Sequence, residues 1–253
     1  MFLEKLIAFY STLRHQVGRL GLSLLPPVCI LCGRLTRQTG NLCLACLQDL
    51  PILPYHCPRC AQFLPITPHA LAEPVPTCGA CLKLAPPFDQ TFALFPYDPP
   101  ITQLIIQLKF QHRLSHAKAL GELLIQKIRH EWYSDAHLPD LIIPVPLHPR
   151  RLRERGFNQA LEIAKPVARA LSIPIDAHGT RRIKHTAPQS TLTGSERKQN
   201  VSHAFSICRD YTGLNLAVLD DVITTGHTLT ALCKMLKAHG ASRIDVWCCA
   251  RRG

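Results

Sequence analysis

From residue 89 onward the chain alternates short apolar runs with stretches of helical period. "TFALFPY" (91–97), "DLIIPVP" (140–146), "SHAFSI" (202–207), "NLAVLDD" (215–221) and "RIDVWCCA" (243–250) are rich in branched and aromatic residues, and each predicts a strand. Between them, "PPITQLIIQLKF", "HAKALGELLIQKIRHEW", "NQALEIAKPVARAL" and "GHTLTALCKMLKAHG" space their apolar residues for one face of a helix. Asn158 stands where an N-cap belongs, just before Gln159, and Gly240 where a helix should stop. Strands alternating with helices predict an α/β domain over 89–253, with a mostly parallel sheet flanked by helices. Ligands of such sheets bind beyond the carboxyl ends of the strands.

The first 88 residues lack this alternation. Over 1–25, Phe2, Leu6, Ile7, Phe9, Tyr10, Leu13, Val17 and Leu20 fall largely on one helical stripe, and Glu4, Lys5, Arg14 and Arg19 interrupt any continuous apolar core. The segment therefore reads as an amphipathic helix docked on the body of the protein, with a partner or membrane surface as the alternative. It reads as neither a membrane span nor a signal peptide. Residues 26–88 are proline-rich and poor in apolar period, too little to bury a core of their own.

That stretch carries its own remedy. Eight of the twelve cysteines form four Cys-x-x-Cys units, Cys29/Cys32, Cys43/Cys46, Cys57/Cys60 and Cys78/Cys81. Two thiolates at this spacing reach one tetrahedral ion from a tight turn, and two such pairs complete a four-cysteine zinc site. Two structural zinc sites follow, from sequential pairing of the units or from a crossed arrangement. A chain without a secretion signal is expected in the reducing cytoplasm, where paired thiols hold metal more often than they form disulfides. Cys208, Cys233, Cys248 and Cys249 lie in apolar patterns and read as core.

The most informative stretch for chemistry is "LAVLDDVITTGHTLT", 216–230. A strand ends on Asp220 and Asp221, and a helix begins after a short loop. Backbone N–H groups at a helix start cradle phosphate, and Thr224, Thr225 and Thr228 add hydroxyl donors. Two carboxylates repel phosphate, so they should meet sugar hydroxyls or a water-bridged magnesium ion. Phosphate on one side and hydroxyls on the other describe a 5-phosphoribosyl group.

Charge points the same way. Lys and Arg number 29 against 17 Asp and Glu, a net charge of +12 that favours anionic partners. From Arg150 to Lys198 eleven basic residues face four acidic ones, so more than half of the excess sits in a fifth of the chain.

"AVLDDVITTGHT" resembles the phosphoribosyl pyrophosphate (PRPP) motif of type I phosphoribosyltransferases. The four cysteine pairs, "LKF" (108–110), "PVPLHPRRLRERGFNQA" (144–160), "QSTLTGSERKQNVSHAF" (189–205) and the PRPP motif, in that order, resemble the ComF (ComFC) family of competence proteins. The resemblance covers nearly the whole chain and implies an amidophosphoribosyltransferase-like type I fold behind a double zinc-ribbon-like module. It further implies that Asp220 and Asp221 hold the ribose hydroxyls of PRPP with Mg2+, and that Thr224, Thr225, Gly226, His227 and Thr228 surround the 5′-phosphate. His227 departs from the small residue usual there.

The same resemblance offers Pro144, Val145 and Pro146 as the pyrophosphate loop, with Arg150 and Arg151 supplying charge. Lys109 is either a further pyrophosphate contact or a plain helix-ending lysine. It also implies a part in natural transformation, where imported single-stranded DNA is handled in the cytoplasm beside other competence proteins such as the uptake helicase. Arg150, Arg151, Arg153, Arg155, Arg181, Arg182, Lys184, Arg197 and Lys198 are the candidate DNA contacts. Two readings stay open at this point: a transferase acting on an unidentified acceptor, with Asp220 and Asp221 as its catalytic acids, or a nucleic-acid-binding factor that reuses the fold. Only Phe157 among the aromatic residues lies in the basic segment, so binding there should be electrostatic.

Overall fold

Four of the five apolar runs pair into one parallel sheet. In a computed structural model, which describes residues 27–36, 41–64, 75–133, 137–184 and 204–253, these strands are β1 (Gln90–Pro96), β2 (Leu141–Pro144), β5 (Asn215–Ile223) and β6 (Arg243–Arg251), in the order β1-β6-β5-β2. The stripe expected over 1–25 and the candidate residues Arg197 and Lys198 lie outside the described residues. Among the described residues no helix is long and apolar enough to cross a membrane.

The fifth run leaves this sheet. Residues Phe205–Ile207 (β4) pair antiparallel with Thr180–Arg182 (β3) as a separate two-stranded ribbon. Phe205 still packs under the main sheet, so its apolar side chain is satisfied without a place in the parallel ladder.

Helices cover both faces because the strands alternate two apolar sets. Ala217 and Leu219 of β5 share a cluster with helices α3 (Ile101–Gln111), α4 (Leu114–Lys127) and α6 (Gln159–Leu171). Leu216 and Val218 turn the other way, onto Leu229, Leu232, Cys233 and Leu236 of α7 (His227–Ala238). Cys233, Cys248 and Cys249 are wholly buried in these clusters, whereas Cys208 is exposed. A wider π-helical turn, Ile128–Trp132, continues α4, and a short helix, α5 (Pro149–Arg155), follows β2.

The zinc-type module is built into the same core. Its two short helices, α1 (Leu44–Gln48) and α2 (Gly79–Lys83), start inside the second cysteine pair of each half, with Cys43 and Cys78 as N-caps, and Cys29, Leu42 and Leu47 belong to the cluster under α3 and α4. At the other face Arg251, at the end of β6, donates to the carbonyls of Cys60 (3.2 Å) and Ile223 (3.2 Å) and to Gln62 Oε1 (2.7 Å). One guanidinium thus joins the second cysteine knuckle to the end of β5.

Helices α4 and α6 touch at Gly121. A Cβ there would lie 2.5 Å from Pro166 Cγ and 3.0 Å from the Ile163 carbonyl, inside any allowed contact. Gly121→Ala is therefore expected to lower stability by about 1–3 kcal/mol, through forced separation of the two helices. A thermal melt checks this, with a drop of about 2–4 °C per kcal/mol expected for a chain of this size.

Candidate functional site

The carboxyl end of β5 sends its two acids into different surroundings. Asp221 is only 3% exposed and turns toward the helices of one face, where Lys109 of α3 forms a salt bridge to its Oδ2. Gln159, the first residue of α6, donates from Nε2 to Asp221 Oδ1 at 3.4 Å. Gln159 Oε1 in turn accepts a 2.6 Å hydrogen bond from Arg155. The Arg155 guanidinium lies over the Phe110 ring, 5.6 Å from its centroid, and Phe157 meets His112 edge-on. "LKF", "RGFNQ" and the second aspartate, far apart along the chain, therefore close into one network around a buried carboxylate.

Asp220 is half-buried and lines a small concavity of about 40 Å³, shared with Thr224, Thr225, Gly226, His227 and Thr228. Burial, then the neighbouring Asp221 charge, push its carboxyl well above the usual range, with Lys109 opposing them. The floor is the start of α7, whose first N–H groups have no acceptors within the helix. Gly226 caps that helix at φ 76°, a left-handed conformation that a side-chain-bearing residue resists. Burial, then the charge of Arg151, depress the pKa of Arg182, and Asp220 counters them, so Arg182 lies within electrostatic reach of both.

The other candidate residues divide by location. Pro144, Val145 and Pro146 are buried, and the Asn158 side chain holds this loop by donating to the Val145 carbonyl at 3.0 Å. Asn158 also accepts from Ala160 N at 3.0 Å, as the N-cap of α6. Arg150 pairs with Glu154 one turn on, Arg153 is exposed, and Arg155 faces inward to Gln159. Arg181 and Lys184 are exposed on and after β3. Gln159 and Phe110 were not singled out from the sequence. Their only signal was membership of "RGFNQA" and "LKF", and the partners that give them meaning lie about sixty residues away or more in one case and on another helix in the other.

The cysteines resolve into two clusters. Cys29, Cys32, Cys43 and Cys46 bring their sulfurs within 4.8 Å of one another, as do Cys57, Cys60, Cys78 and Cys81. The pairing is sequential, and the crossed arrangement is excluded. Although burial opposes it, backbone N–H groups of Cys32, Cys43 and Leu31 bring Cys29 down to about 6. Burial and neighbouring sulfurs push Cys46 up, and Cys60 reaches about 11, chiefly through burial. Four thiols this close cannot all ionise alone, so each set calls for a cation. Tetrahedral sulfur ligation fits zinc.

Comparison with known proteins agrees with this division. A double zinc ribbon domain model matches residues 22–82, and a phosphoribosyl transferase domain model matches 158–253. "DNA utilization protein YhgH" of Salmonella typhimurium is 35% identical over 225 residues, covering 88% of this chain and 90% of that protein. "Competence protein F" of Haemophilus influenzae is 35% identical over 228 residues, covering 88% and 96%. The chain belongs to the ComF family. "Competence protein ComFC" of Bacillus subtilis is a more distant relative, 24% identical over 217 residues and covering 82% and 83%. Among solved structures, a purine phosphoribosyltransferase from Pyrococcus horikoshii covers 52% of this chain and 69% of its own, at 18% identity and a TM-score of 0.32.

Two outcomes follow for this ComF chain. Elemental analysis of the purified protein is expected to give two zinc ions per chain, and Cys43→Ser with Cys46→Ser is expected to leave one. Retention of both would reject the sequential ligand sets. The second outcome concerns Asp220. Because its folded carboxyl holds a proton above the range of the unfolded chain, the associated stability is present at pH about 4 and is lost as pH rises through the folded value. Asp220→Asn is expected to raise the melting temperature by about 2–4 °C at pH 8, equivalent to about 1 kcal/mol, and to change it little at pH 4.

Proposed function

We propose that this ComF protein is a cytoplasmic factor of DNA uptake that binds PRPP with Mg2+ at the end of β5 and single-stranded DNA along its basic surface. The observation that carries the PRPP half is the concavity itself, where a half-buried acid faces the start of a helix across a threonine-rich loop. Asp220 accepts from ribose hydroxyls. Thr224, Thr225, Gly226, His227 and Thr228 enclose the 5′-phosphate, helped by the amide hydrogens of α7. Arg151 and Arg182 face the pyrophosphate, and the loop of Pro144, Val145 and Pro146, anchored by Asn158, backs it.

Asp221 works from behind. Lys109 and Gln159 fix its charge beside Asp220, which favours a cation or a hydrogen-bond donor on the Asp220 side of the concavity and leaves the anion to the amide hydrogens of α7. A carboxylate with an open side suits magnesium, which keeps most of its waters and takes one or two protein oxygens; Asp220 would hold it, neutralising pyrophosphate charge. The transferase reading uses the same site and adds an acceptor at C1 of the sugar, where positioning and charge stabilisation would do the protein's share.

The DNA half rests on the relatives' names and on the charge of α5 and β3. Arg150, Arg151 and Arg153 on α5 and Arg181, Arg182 and Lys184 on and after β3 form the basic surface; Arg197 and Lys198 are further candidate contacts from the sequence alone. Arg155 is engaged inside the network and contributes mainly by holding Gln159. Other competence or DNA-processing proteins, the uptake helicase among them, are the expected company of such a factor.

Calorimetry separates these parts. PRPP with Mg2+ is expected to bind the wild-type chain, and Asp220→Asn to abolish binding without loss of the fold. Undiminished binding by that variant rejects the site. Neutralising Arg150, Arg151 and Arg153 together is expected to weaken oligonucleotide binding uniformly across sequences. The log–log salt slope should fall by about 0.7 for each lost phosphate contact. An affinity that ignores salt rejects the electrostatic reading.

A further inference from the structure

A second, larger cavity lies away from this site. A groove of about 680 Å³ runs along the outer edge of β1, between the loop 50–58 of the cysteine module and the end of α4. It shares no lining residue with the concavity at Asp220, and no step of the PRPP reading uses it. Its volume is that of a small-molecule site, and its lining is mainly apolar.

Two features of the lining point to a ligand. On one wall the ring of Trp132 stacks on that of Phe92, with centroids 5.0 Å apart and 25° between their planes, so one face of Trp132 is covered by Phe92 and the other is turned away from it. Beside them sits Gln126. It is 4% exposed, yet neither its amide nitrogen nor its amide oxygen has a hydrogen-bond partner. Buried side-chain amides almost always find partners, because leaving a donor and an acceptor dry is unfavourable. An amide left open on both counts, at the wall of a groove, awaits a group that offers an acceptor and a donor side by side.

A planar heterocycle with such an edge satisfies both atoms at once. The N6–H and N7 edge of adenine pairs bidentately with a glutamine amide, and the faces of any base stack on aromatic rings. We infer that this groove is a nucleobase site, in which Gln126 reads an adenine edge while Trp132, itself backed by Phe92, supports the face of the ring with its outer side. The base arrives either on a free nucleotide or on a strand. The second source rests on the DNA reading above: β1 and β2 are opposite edges of the sheet, about 14 Å apart at the usual strand spacing. A strand that follows α5, just beyond β2, reaches the groove within a few nucleotides.

Tryptophan fluorescence tests this directly. The chain has two tryptophans, and Trp247 is fully buried, so quenching by a base reports Trp132. Adenosine 5′-monophosphate, an oligo-dA 12-mer and an abasic 12-mer of equal phosphate count are titrated separately. Saturable quenching by the mononucleotide and at least fivefold tighter binding of oligo-dA than of the abasic strand are expected. Gln126→Leu should erase that preference and leave the melting temperature unchanged or higher, since it removes two unpaired polar atoms from the interior. Absence of quenching, equal affinity for the two strands where both bind, or a preference that survives Gln126→Leu overturns the inference. If neither strand binds while the mononucleotide still quenches, the DNA reading fails alone and the groove stands as a nucleotide site. The triple arginine variant on α5 should weaken both strands alike and spare the mononucleotide.

Discussion

Two neighbouring acids on one buried strand must leave it on opposite sides, and that constraint organises the functional end of this molecule. Asp221 enters the face covered by α3 and α6, where an ionised carboxylate needs a cation and further hydrogen bonds. Lys109 and Gln159 supply them, so the last turn of α3 and the first residue of α6 are both pinned to the end of β5. Asp220 keeps to the concavity at the start of α7, where burial first and the neighbouring Asp221 charge second raise its pKa.

The cysteine module takes part in the same design. Arg251 bonds the backbone of the second knuckle and the end of β5 with one side chain. On the other face Leu42 and Leu47 share the core of α3 and α4. Zinc held in these clusters would therefore bear on the sheet and on the loop that follows β5.

Basic residues in one run of sequence do different work. Arg150 answers Glu154, the charge of Arg151 bears on Arg182, Arg153 meets solvent, and Arg155 turns in over Phe110 to orient Gln159. A seven-residue helix distributes its side chains around its axis, so the density of charge along the sequence overstates what one flat ligand touches.

The strands, the helices, the N-cap at Asn158, the acid–threonine loop and the cysteine pairs were legible from the sequence alone. Each is written in a window of a few to some fifteen residues, where side-chain period, capping chemistry or ligand spacing acts locally. The tertiary structure decided what no window contains. It joined the cysteine pairs in sequence, moved "SHAFSI" out of the parallel sheet and onto β3, and drew Lys109 and Gln159 to Asp221. It also opened a groove with an unpaired glutamine at the edge of β1. Such contacts join residues tens of positions apart, and only the packing of whole elements fixes which of the many chemically acceptable partners ends up within reach.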